Sequence, residues 1–203
     1  MTVFTMRYCK RLESILLCLA VLVCAALPVR AADITANSAQ LLAGDDGFSL
    51  SANFAIALNP RLEEAVNKGV VLYFAVDFEL TRSRWYWFDQ QVVRRSRLFQ
   101  LSYHALTRQY RLSSGALHQS FATLDDALRV LSRVRHWQVI EKGEVDTDSS
   151  YQAGVRMRLD PSQMPKTFQV NALSNRVWNQ SSEWLQWVFY PSDASASLSG
   201  DDQ

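Results

Sequence analysis

From Phe48 onward the chain alternates. Phe48, Leu50, Ala52, Phe54, Ile56 and Leu58 are separated by Ser49, Ser51, Asn53, Ala55 and Ala57. Successive side chains of a pleated strand point to opposite faces, so this run predicts a strand with one buried face. The turn sequence Gly44-Asp45-Asp46-Gly47 precedes it and makes residues 34–42 the first arm of a hairpin. Val70, Leu72, Phe74, Val76, Phe78 and Leu80 form a second alternating set. On the other face Val71, Tyr73 and Ala75 are apolar too, before Asp77 and Glu79. A strand apolar on both sides at one end belongs in the middle of a sheet or in a sandwich.

Further strands are predicted at Trp85-Tyr86-Trp87-Phe88, 98–103, 108–112, 117–121 and 184–190. Segments 137–141 and 151–159 read as a pair of strands around a polar, acidic loop. Two short helices interrupt them. Asn59 before Pro60 is a helix start, with Glu63 and Glu64 in the first turn and Gly69 as the stop. Thr123-Leu124-Asp125-Asp126 is a capping-box-like start with Asp in the place of Glu. Leu124, Leu128, Leu131 and Val134 follow at helical spacing. Strands this short and close predict a mainly β fold: an antiparallel β-sandwich of about seven to nine strands with two short helices.

The first 31 residues follow a different pattern. Arg7, Lys10 and Arg11 precede an apolar run from Ser14 to Leu27, Pro28 breaks it, and Val29-Arg30-Ala31 offers an A-x-A-like cleavage site. This predicts a signal peptide at 1–31, cleaved after Ala31, and a periplasmic or secreted protein. The run is shorter than the roughly 20 apolar residues of a membrane span, so no span is expected after cleavage. Lipidation at Cys18 or Cys24 is disfavoured by the large Leu17 and Val23 before them. Residues 32–191 are expected to form one domain, and the Ser/Ala/Asp-rich stretch 192–203 a disordered tail.

Removing the leader takes Arg7, Lys10, Arg11 and Arg30 from 21 basic residues and Glu13 from 20 acidic ones, leaving a net charge of about −2. That is unlike the basic balance of a nucleic-acid binder. Cys9, Cys18 and Cys24 all lie in the leader. The remaining chain has no thiol for a disulfide, for a cysteine metal site or for nucleophilic catalysis, and no disulfide-linked partner is expected.

Candidate chemistry is sparse. His104, His118 and His136 lack metal-ligand spacing. Asp146-Thr147-Asp148-Ser149-Ser150 begins like a calcium loop, but Tyr151 stands where glycine is needed and Met157 where the bidentate acid belongs. A solvated turn is the reading. No nucleophile elbow, zinc-protease, phosphate-loop or dinucleotide pattern occurs. No catalytic residue, metal or cofactor is therefore assigned. Two features point to binding. Trp85 and Trp87 share one strand face and Tyr86 and Phe88 the other, so one pair can be exposed to stack on sugar rings or anchor a protein. Arg94, Arg95 and Arg97 follow closely, with Arg82 and Arg84 just before. Either they receive an anionic partner or they decorate a sheet edge against unwanted pairing.

Segment 101–112, Leu-Ser-Tyr-His-Ala-Leu-Thr-Arg-Gln-Tyr-Arg-Leu, together with 165–173, Pro-Lys-Thr-Phe-Gln-Val-Asn-Ala-Leu, and Trp178, Trp184 and Trp187, resembles the domain of unknown function 4390 family of exported Gram-negative proteins. The resemblance runs from about Ile34 to Pro191. It implies a periplasmic or envelope location, and members are often encoded near a membrane sensor kinase of nitrogen-regulation type. It carries no activity, ligand or catalytic residue. The expected function is thus a non-enzymatic envelope module that contacts a partner protein, with a membrane sensor kinase as one candidate. Glycan or small-ligand binding through exposed aromatics is the alternative, and a hydrolase with dispersed catalytic residues a remote one.

Overall fold

The computed structural model describes residues 34–82, 90–164 and 178–196. The alternating run becomes β2 (Gly47–Ile56), paired antiparallel with β1 (Ile34–Gly44) through the two-residue turn Asp45-Asp46. Glycine is required at position 47. Its φ is 124°, and an added Cβ would collide with the carbonyl oxygen of Ile140. The inward residues of β1 change parity, from Ile34 and Ala36 to Ala39, Leu41 and Ala43. A β-bulge between Ala36 and Ser38 absorbs the odd residue, so all of them stay opposite the inward set of β2.

Helix α1 (Pro60–Asn67) is built as its sequence predicts. The Asn59 side chain accepts a hydrogen bond from the Leu62 N–H at 2.9 Å, and Leu62 and Val66 are fully buried. Gly69, at φ 89°, ends it: the Gly69 N–H bonds the Val66 carbonyl at 2.9 Å and the Val70 N–H bonds Ala65 at 3.0 Å. β3 (Leu72–Arg82) follows, with Leu72, Phe74, Val76, Phe78 and Leu80 wholly buried. It is central, hydrogen-bonded to residues 90–101 on one side and 152–159 on the other.

β4 (Gln90–His104) corrects the prediction of a separate strand at 98–103. It is one continuous strand of 15 residues, and the arginines lie within it. The aromatic run 85–88 lies outside the described residues. β5 (Gln109–Ser114) and β6 (Leu117–Phe121) complete a meander, with Arg108 in the left-handed region at φ 53° in the turn before β5. Helix α2 (Leu124–Leu131) is capped by Thr123, whose Oγ1 accepts from the Asp126 N–H at 3.2 Å. Val134 is not part of it. The chain has already turned into β7 (Arg133–Glu141), where Val134 is buried as a strand residue.

β7 pairs with β2, while β8 (Tyr151–Leu159) pairs with β3 and β9 (Leu185–Phe189). The two strands read as a pair therefore sit in different sheets, and the acidic loop crosses between them. Pro191–Ala196 forms a short helix, α3, at the head of the segment predicted as a disordered tail. The sheets are β1-β2-β7 and β6-β5-β4-β3-β8-β9, all antiparallel. Their inner faces share one core, in which Leu50, Phe54, Phe74, Phe78, Val155 and Met157 are buried. This is the predicted sandwich. No helix among the described residues is long and apolar enough to cross a membrane.

Candidate functional site

The outer face of the six-stranded sheet carries the most organised polar group. β3 turns Tyr73, Ala75, Asp77, Glu79 and Thr81 away from the core. Antiparallel register places Ser96 of β4 and Arg156 of β8 beside Asp77, and Arg158 beside Ala75. Asp77 is only 4% exposed and fully bonded. Its Oδ1 accepts from Ser96 Oγ at 2.8 Å. Its Oδ2 accepts from Arg156 Nε at 3.1 Å and Arg158 Nε at 2.9 Å. Burial pushes the Asp77 pKa up, but the hydrogen bonds from Ser96 and Arg158, the Arg158 charge and the Arg156 hydrogen bond together hold it below the usual carboxylate value. Arg158 also reaches Asp160, with Nη1 to Oδ1 at 3.5 Å.

An aromatic side chain completes the group. The Arg156 guanidinium lies 4.6 Å from the ring centroid of Trp184, a cation–π contact. Gly154 makes room for the indole: a Cβ there would stand 3.3 Å from Trp184 Cε3. With both Nε atoms committed to Asp77, the hydrogen-bonding capacity left on Arg156 is at its terminal nitrogens. The two arginines balance Asp77 and Asp160 in charge. The group is therefore suited to directional recognition through a fixed guanidinium and indole rather than to capture by net charge.

The predicted arginine cluster is divided. Alternation on β4 puts Arg94 on the outer face, 3.4 Å from Glu79 and well exposed. Arg95 and Arg97 face the other side. Arg95 Nη2 pairs with Glu144 at 2.8 Å and lies 4.0 Å from Glu141. Arg97 donates from Nε to Ser114 Oγ at 3.2 Å and stands 5.4 Å from the Phe99 ring centroid. β5 pairs with β4 only over residues 100–104, so the stretch that holds the three arginines is bonded to β3 on one side and, among the described residues, to no strand on the other, as the edge reading requires. Trp85 and Trp87, and the aromatic platform read from them, fall outside the described residues. His104, His118 and His136 are exposed on β4, β6 and β7, and no group of three metal-ligating side chains occurs among the described residues. The acidic loop is tied to β3: Arg82 donates to Asp146 Oδ2 at 3.1 Å and to Ser149 Oγ at 2.8 Å.

Sequence reasoning missed Asp77, Arg156, Arg158 and Trp184 as a group. Two signals were present: a carboxylate within a strand that is apolar on both sides, and arginines two residues apart on another strand. A family model described as a domain of unknown function (DUF4390) matches residues 31–188. The chain belongs to the DUF4390 family. The DUF4390 match spans both sheets, from β1 to all but the last residue of β9, and includes every residue of the outer-face group. No curated protein and no solved structure matches the chain.

Proposed function

We propose that this DUF4390 protein is an exported, non-enzymatic module of the cell envelope that docks a partner protein on the outer face of its six-stranded sheet. The observation that carries the reading is the fixed Trp184–Arg156–Asp77–Arg158 array. Tryptophan and arginine are the side chains that most often anchor protein interfaces. An arginine already held by a buried carboxylate loses little further freedom on binding. The terminal nitrogens of Arg156 fit a carboxylate or carbonyl on the partner. Export is supported by the basic, apolar and cleavage-like segments at the start of the chain. A membrane sensor kinase is the partner class the family resemblance brings forward.

Affinity capture from envelope extracts, followed by binding of the purified candidate, tests this. The wild type and a His118→Ala control are expected to bind it equally. Trp184→Ala and Arg156→Lys are each expected to weaken binding by roughly 1–3 kcal/mol, read as the dissociation constant. Equal affinity of all four proteins would remove the outer face from the interaction.

A further inference from the structure

The other sheet edges are guarded in ways that β6 is not. β7 carries Arg133, Arg135 and His136 and breaks register against β2. β1 is bulged, and β9 runs beside β1. The five residues of β6, Leu-His-Gln-Ser-Phe, include no Lys, Arg, Asp, Glu or Pro, the residues that keep edge strands from pairing. Leu117 to Ser120 are all exposed, Leu117 to 73%. Among the described residues, nothing hydrogen-bonds the outer backbone of this strand.

The turn Gly115-Ala116 decides which backbone groups point outward. A two-residue hairpin closes on a hydrogen-bonded pair, here Ser114 with Leu117, and such pairs recur at every second residue. Gln119 opposite Leu112 and Phe121 opposite Tyr110 therefore also bond inward to β5. His118 and Ser120 present their N–H and C=O groups to the free edge.

We infer that a second copy of this chain pairs antiparallel with β6 about a twofold axis at Gln119. The register is self-complementary. His118 exchanges both backbone hydrogen bonds with the second copy's Ser120, and the symmetric pair does the same. Gln119 meets its own counterpart in a closely spaced pair, with Cα atoms about 4.5 Å apart. Leu117 lies beside the second copy's Phe121, so an exposed leucine is covered by an aromatic ring. No like charges meet, because the strand has none. The two six-stranded sheets then run on as one.

Sedimentation of the full chain over a concentration series tests the pairing, which is independent of docking on the outer face. The expected mass is twice that of the monomer. Ser120→Pro removes an outward N–H and spares the ladder with β5. Leu117→Lys places a charge on the apolar pair. Each is expected to weaken self-association at least about tenfold with unchanged circular dichroism and, at a concentration where the wild type too is monomeric, an unchanged melting temperature. For register, Gln119→Cys in a chain with Cys9, Cys18 and Cys24 changed to Ser is expected to form an intermolecular disulfide on mild oxidation. Leu117→Cys in the same background is expected not to, since the two copies of that position lie about four residues apart along the strands. A monomer at every concentration overturns the inference. So does a dimer indifferent to both Ser120→Pro and Leu117→Lys, or a cross-link at 117 in preference to 119.

Discussion

A carboxylate in the middle of a buried strand has to be bonded, or it would destabilise the strand that carries it. Asp77 meets that requirement with one serine and two arginines. Asp77→Asn leaves the Arg156 guanidinium without its counter-charge and Arg158 with Asp160 alone, and about 3 kcal/mol of stability is expected to be lost at neutral pH, read by urea unfolding. The pH dependence follows from the direction of the shift. A carboxyl group held below its usual pKa contributes fully above that value, and the contribution fades as pH falls through the folded-state value. Wild type and Asp77→Asn are therefore expected to differ most at neutral pH and to converge as pH falls below the usual carboxylate range, as stability curves from neutral to acid pH would show. Gly47 gives a second prediction at this scale. Gly47→Ala is expected to cost at least about 2 kcal/mol, measured by thermal unfolding, because the added carbon meets backbone and the φ is one that alanine resists.

Among the elements, α1 was the most legible. Its cap, its proline, its stop and its buried residues all stand where local chemistry puts them. Asn59→Ala is expected to cost about 1 kcal/mol and Leu62→Ala about 2–5 kcal/mol, both by chemical denaturation. β3 was equally plain, since apolar residues on both faces fix its central place. β4 was not. Its middle holds Arg94, Arg95, Ser96 and Arg97, and so many polar residues read locally as a break between strands. What holds the strand together there lies far away in sequence: Glu79, Asp77, Glu144 and Ser114 each take a side chain from it. The outer-face group was hidden for the same reason. Register between β3 and β8 brings its members together, and register is not a local property.

For the whole molecule, the number of strands and the sandwich could be read from spacing, but the assignment of strands to sheets could not. β7 and β8 flank a polar loop just as hairpin arms do. Their separation follows from burial: β8 is covered on both faces around Ala153, Gly154 and Val155 and belongs inside a sheet, whereas β7 is largely exposed and sits at an edge. No cysteine occurs among the described residues, so the melting temperature is expected not to change with reductant, as differential scanning calorimetry with and without a thiol would show. The bonds from Arg156 and Arg158 to one oxygen of Asp77 also bear on how the sandwich yields to force. They straddle the seam between β3 and β8. A slide of one residue along that seam would turn both guanidinium groups into the core, and a slide of two would carry them past the carboxylate. Pulled along its strands, the sheet is thus pinned at that seam against creeping from one alignment to the next.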